Sequence, residues 1–191
     1  MKIELARKYG SCFGVIRAIK IAEEAGNSYT YGPLIHNNQE INRLKLNFNV
    51  KLENDLSNFN EKDKVIVRTH GIEKQELQML KDKNINVIDA TCPFVTKPQE
   101  IVKEMSKLNY DVVIFGDKEH PEIKGVKSYA VNNAFVVLKP EELESITLKE
   151  KIAVIAQTTK RVDDFLKITN YLIKKYREIR VFNTICNATF D

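Results

Sequence analysis

Three cysteines and three histidines carry most of the reactive side chains in this chain of 191 residues. Cys12, Cys92 and Cys186 are widely separated and form no C-x-x-C pair. An odd number of scattered cysteines argues against a disulfide framework. Each follows a strand-like run, in the settings Gly10-Ser11-Cys12-Phe13-Gly14, Ala90-Thr91-Cys92-Pro93-Phe94 and Thr184-Ile185-Cys186-Asn187-Ala188. The first two also precede segments of helical period. A helix N-terminus lowers a thiol's pKa. Three such thiolates, if gathered, bind a soft metal or an iron–sulfur cluster. The competing reading is three small buried hydrophobes.

The histidines sit beside turn-forming residues: Gly32-Pro33-Leu34-Ile35-His36-Asn37, Arg68-Thr69-His70-Gly71 and Glu119-His120-Pro121-Glu122. Imidazolium rings near helix N-termini are good phosphate donors. The same rings could complete a zinc site with the cysteines, or simply be solvated. Glu122, two residues after His120, is either a surface carboxylate or a proton donor whose pKa burial has raised. Thr158 and Thr159 end the apolar run Ile152–Ala156, where hydroxyls position a substrate oxygen or cap a helix. No GxGxxG or GxxxxGKS pattern points to a nucleotide.

The elements that must position these residues alternate between strand and helix. Strands are expected at Lys2–Ala6, Ser28–Tyr31, Lys64–Arg68, Asn86–Asp89, Asp111–Phe115, Ala134–Leu138, Lys151–Ala156 and Ile179–Phe182. Continuous apolar runs such as Val112-Val113-Ile114-Phe115 suit strands buried on both faces of a parallel sheet. Apolar residues at helical spacing mark helices over 15–25, 95–108 and 162–176, with two more near 37–46 and 72–83. Gly26 stops the first. Thr96 and Gln99 read as a capping box for the second, with Pro98 in its first turn. Asp163-Asp164 and Lys174-Lys175 complement the dipole of the third. The fold class is therefore α/β. Cysteines and histidines alike fall where such strands end, which is where open α/β sheets bind ligands.

Composition excludes other classes. Apolar residues are 43% and charged residues 29%, and the net charge is +4 with no Trp. That balance suits a globular protein and gives nucleic acid little to bind to. No run approaches a membrane span, and the charged start offers no signal-peptide core, so a cytoplasmic protein is expected.

Seven of these segments, in this order from end to end, resemble the 4-hydroxy-3-methylbut-2-enyl diphosphate reductases. They are Gly10–Ile19, Gly32–Asn37, Arg68–Gly71, Asp89–Lys97, His120–Glu122, Gln157–Thr159 and Thr184–Cys186. The resemblance implies a pseudo-threefold array of small parallel-sheet modules around a central 4Fe-4S cluster, two of them complete here. The divisions are expected at 1–92, 93–183 and 184–191, the last opening a third module. The resemblance further implies that Cys12, Cys92 and Cys186 hold the cluster with one iron left open. His36, His70 and His120 bind the substrate diphosphate, Glu122 relays protons, and Thr158 or Thr159 orients the substrate hydroxyl. Ferredoxin or flavodoxin is the implied electron donor. The implied reaction is a reductive dehydroxylation giving isopentenyl and dimethylallyl diphosphates. The chain departs from the family at Ser11, where aromatic residues are common. A Ser–x–Asn motif and a later Ser that also grip the diphosphate have no counterpart in the 191 residues, so an incomplete substrate clamp is expected. The alternatives are a non-catalytic domain holding structural zinc or a cluster, an inactive fragment, and a plain binding protein for a phosphorylated metabolite.

Overall fold

The structure is a computed structural model that describes residues 3–4 and 9–189. The chain runs α1 (Phe13–Ala25), β1 (Ser28–Tyr31), α2 (Asn38–Phe48), β2 (Val50–Glu53), β3 (Lys64–Val67), α3 (Lys74–Asp82) and β4 (Asn86–Asp89). It then repeats the pattern as α4 (Pro93–Lys107), β5 (Asp111–Phe115), α5 (Pro121–Ser128), β6 (Ala134–Val137), β7 (Lys151–Ala156), α6 (Val162–Lys175) and β8 (Glu178–Val181). Each half forms a four-stranded sheet, in the orders β2-β1-β3-β4 and β6-β5-β7-β8. Every pairing is parallel. The expected strand at Lys2–Ala6 lies outside the described residues.

Side chains that alternate along a strand leave on opposite faces, and both sheets are covered on both sides. In the second sheet, Val112, Ile114, Ala153 and Ile155 pack with α4 and α5. Val113, Phe115, Ile152, Val154 and Ala156 pack instead with Phe165, Ile168 and Leu172 of α6. The first sheet follows the same plan. Ile66 faces Ala18 and Ala22 of α1 and Leu44 of α2, while Val65 and Val67 face Leu80 of α3.

Local chemistry sets the helix boundaries. Gly26 caps α1 at φ +46 and donates to Ala22 O. Four helix-to-strand connections carry an asparagine in the left-handed region: Asn27, Asn49, Asn84 and Asn109. A short polar side chain tolerates that conformation better than most. The α4 boundary differs from the expected one. The helix starts at Pro93 with Cys92 as its N-cap, because proline's fixed φ suits the first helical position and its missing N–H is no loss there. Thr96 lies inside the helix, its hydroxyl donating to Cys92 O at 3.4 Å. Pro98 falls in the second turn rather than the first.

The two halves meet where α5 packs on α3 and the turn before it. Lys74 N–H donates to Ser128 Oγ at 2.8 Å. Gly125 presses against that turn: a Cβ there would lie 3.3 Å from Ile72 O and 3.7 Å from His70 O. The absent side chain lets the helix that begins at His120 approach the segment bearing His70. Gly125→Val should cost about 1–3 kcal/mol through overpacking. Urea denaturation checks this, and an unchanged midpoint would show that the contact relaxes freely.

Candidate active site

In a parallel sheet all strands finish on one side, and there the sequence places its reactive residues. His36 follows β1 and His70 follows β3. His120 follows β5 as the N-cap of α5. Cys92 and Cys186 follow β4 and β8, and Thr158 follows β7. Cys12 is the N-cap of α1.

The three imidazoles form one cluster. Ring centroids of His36 and His70 are 4.6 Å apart, and those of His70 and His120 are 5.7 Å apart. Thr69 fastens the two loops of the first half. Its backbone N–H and hydroxyl both donate to Leu34 O, at 3.3 and 3.0 Å. His120 Nδ1 accepts the N–H of Glu122 at 3.2 Å. A ring nitrogen that accepts carries no proton, so the proton of the neutral ring sits on Nε2 and that edge is a donor. Burial lowers the pKa of His70 to about 4, aided by the charges of His36, His120 and Arg68. Burial also lowers that of His120, with His36, Lys160 and Arg68 acting the same way and Asp117 opposing. Near neutral pH these two rings act as uncharged N–H donors, because burial and the neighbouring positive charges prevail, at His120 over the opposing Asp117.

Glu122 is 2% exposed. Thr158 N–H donates to its Oε1 at 2.7 Å and Thr158 Oγ1 donates to its Oε2 at 2.6 Å. Burial raises the carboxyl pKa, and the two Thr158 bonds oppose the rise. The adjacent threonines are thereby told apart. Thr158 is buried against Glu122, whereas Thr159 is exposed and accepts from Gln157 Nε2 at 3.1 Å. Gln157 Oε1 in turn accepts Asp117 N–H at 3.0 Å, holding the loop that leads to His120. The sequence reading gave Gln157 no role of its own; its signal was a buried amide beside two hydroxyls.

The cysteines occupy corresponding places in the repeat. Cys92 N–H donates to Thr69 O at 3.0 Å, and Cys186 N–H donates to Thr158 O at 2.8 Å. Cys12 is exposed, while Cys92 and Cys186 are half-buried. Burial raises the Cys92 pKa, and the nearby Cys186 and Cys12 thiols push it the same way, which places the three in one neighbourhood. Among the described residues, no three His, Cys, Asp or Glu side chains converge on a single-ion site. A cluster differs, because each thiolate binds a different metal atom and the sulfurs stand farther apart. Two observations fit it. Cys12 does not use its side chain to cap α1, and the backbone N–H groups of Phe94 and Val95 at the start of α4 favour the thiolate form of Cys92, which is the form that binds metal. Gly14 gives the Cys92 sulfur a seat against α1: a Cβ at Gly14 would lie 2.6 Å from Cys92 Sγ. Arg17 ties α1 to the same corner, donating to Thr91 O at 3.1 Å.

Parallel α/β modules that gather thiols and imidazoles at strand ends define the class, and the family described as LytB protein matches residues 3–191. The chain belongs to that family. It is 64% identical over 193 residues to the 4-hydroxy-3-methylbut-2-enyl diphosphate reductase of Nautilia profundicola. It is 62% identical over 191 residues to the enzyme of that name from Sulfurimonas denitrificans. Both matches cover 100% of this chain and 70% of the relative. A solved (E)-4-hydroxy-3-methyl-but-2-enyl diphosphate reductase, the terminal enzyme of the non-mevalonate pathway, superposes with a TM-score of 0.87 at 39% identity. That match covers 95% of this chain and 66% of the solved one. The reductase structure from Plasmodium falciparum gives a TM-score of 0.89 at 29% identity, covering 96% and 60%. Among the described residues, no helix is long and apolar enough to cross a membrane.

The His70 shift carries a linkage consequence. Its pKa falls on folding from 6.5 to about 4, so between those values the unfolded chain binds more protons. The stabilisation from keeping His70 neutral is complete above about pH 6.5 and is lost as the pH falls toward about 4. Denaturation curves across that window should show wild type losing more stability than His70→Gln. Equal slopes would place the His70 titration elsewhere.

Proposed function

We propose that the histidine cluster receives the diphosphate of 4-hydroxy-3-methylbut-2-enyl diphosphate and that Glu122 and Thr158 deliver the proton for its reductive dehydroxylation. In this reaction two electrons and two protons enter, the allylic C–O bond breaks, water leaves, and isopentenyl or dimethylallyl diphosphate forms. The electrons come singly from a reduced carrier of the ferredoxin or flavodoxin type. Cys12, Cys92 and Cys186 would hold a 4Fe-4S cluster, which when bound supplies the electrons and a Lewis-acidic iron. A cytoplasmic setting, where thiols stay reduced, suits this donor set. We also read the repeat as modules 1–92 and 93–183, with 184–191 opening a third.

The observation that carries the reading is the Glu122–Thr158 pair, joined by backbone to Cys186 and by a helix cap to His120. Hydroxide is a poor leaving group and must be protonated as it departs. Glu122 is buried, its pKa is raised, and Thr158 engages both of its oxygens. In the ionised state both carboxylate oxygens accept from Thr158. When Oε2 takes up a proton that bond reverses, Oε2–H donating to Thr158 Oγ1, and the threonine hydroxyl proton turns to the substrate oxygen that it orients. The Nε2–H of His120, at the positive end of the α5 dipole, supplies a donor for the phosphate oxygens.

Two measurements test this. Anaerobically reconstituted protein should be brown and contain iron and sulfide. Gly14→Ala should fold but lose most of that colour, since its Cβ takes the space of the Cys92 sulfur. A colourless wild type with one zinc would overturn the cluster reading. Glu122→Gln should lower turnover roughly a hundredfold or more while diphosphate binding persists. Normal turnover would remove Glu122 from the mechanism.

A further inference from the structure

Arg68 belongs to the motif that carries His70, yet nothing so far gives it a task. Its backbone and side chain grip the same residue from two directions. Gly71 N–H donates to Arg68 O at 3.0 Å, closing a turn around Thr69 and His70. Arg68 Nε then donates to Gly71 O at 3.3 Å. Gly71 sits at φ +72, a conformation glycine adopts without strain. Beyond Nε, the guanidinium lies across Gly32. A Cβ at Gly32 would stand 2.6 Å from Arg68 Nη1, and Gly32 also has positive φ, +71. Gly32 opens the loop that ends in His36, so one planar cation spans both loops of the imidazole cluster.

We infer that Arg68 is a positioning residue of the histidine site: it locks the His70 turn to the loop bearing His36 and fixes a permanent positive charge beside the incoming diphosphate. This inference rests on the diphosphate reading of the cluster and adds to it the source of charge. His70 and His120 are neutral near pH 7, so they contribute donors but no net charge. Arg68 remains charged at any working pH. Its field is among those that lower the pKa of both rings, together with His36 from the β1–α2 loop and Lys160 from the β7–α6 loop, against Asp117. Its charge also acts on Tyr31, which donates to Glu76 at 2.6 Å and has Glu73 nearby. Lysine could supply the charge, but as a single mobile ammonium it cannot hold the flat two-sided seat.

The test uses the 191-residue chain with inorganic diphosphate as the probe, followed by calorimetry at pH 7.5 and by NMR titration of the histidine rings. Arg68→Gln should weaken diphosphate binding roughly tenfold and move the His70 and His120 titrations upward. Arg68→Lys should restore the titrations but only part of the affinity. A folded Arg68→Gln whose histidine titrations stay in place overturns the inference, as does one with wild-type affinity. Should the wild type bind no diphosphate while the titrations still move on substitution, the diphosphate reading falls and Arg68 stands as the residue that orders the cluster.

Discussion

Parallel pairing makes every strand of a sheet end on the same side, and this constraint organises the whole molecule. Strands that end together release their loops together, so residues distant in sequence, such as His36 and His70 of the first sheet, become neighbours without any long excursion. The backbone ladder even continues past the strands. Cys92 bonds to Thr69 and Cys186 to Thr158, which sets each cysteine beside the loop of the preceding strand in its sheet. The thiols are thus placed by the same hydrogen-bond logic that builds the sheets.

The repeat then places unlike side chains at like positions. Thr69 and Thr158 accept from Cys92 and Cys186 in the same way, yet their hydroxyls serve different ends. Thr69 donates to Leu34 O and fastens two loops, whereas Thr158 donates to Glu122 and engages a titratable group. His36 and His120 likewise follow the first strand of each half. One architecture used twice thus fastens loops in the first half and holds a buried carboxyl in the second. Gly125 joins the two, because without a side chain it lets α5 of the second half reach the His70 turn of the first.

Much of this was legible in the sequence because hydrophobic pattern speaks directly to burial. The run Asp111–Phe115 is buried at every position, as a continuous apolar run implies. The weaker elements were not legible. Strand β2, Val50-Lys51-Leu52-Glu53, is an edge strand with two exposed positions, too short to show a period. Helix α5 has only eight residues, and its start hides in His120-Pro121. The start of α4 was misread because a capping-box pattern at Thr96 and Gln99 competes with proline at the first helical position, and proline's fixed φ prevails. At the site, residue types are visible in sequence but electrostatics are not. Neutral His70, the inward Thr158 beside the outward Thr159, and the seat that Gly14 makes for Cys92 all depend on burial and close approach between distant segments.

Burial acts on the site's acid and on its bases in opposite directions. It raises the pKa of Glu122 and lowers those of His70 and His120. Both shifts favour the uncharged form, so the interior can enclose several titratable groups without several unpaired charges. In the proposed reading a diphosphate is therefore met by uncharged rings at His70 and His120. The site offers imidazole N–H donors, with Arg68 at its margin. An arriving anion reverses the balance, because negative charge beside the rings raises their pKa. In that reading His70 and His120 are drawn toward protonation by the ligand itself. Glu122 stands apart from that exchange, its two carboxyl oxygens engaged by Thr158. The proposed function thus keeps binding charge and reaction proton on separate groups, although His120 and Glu122 are only two residues apart.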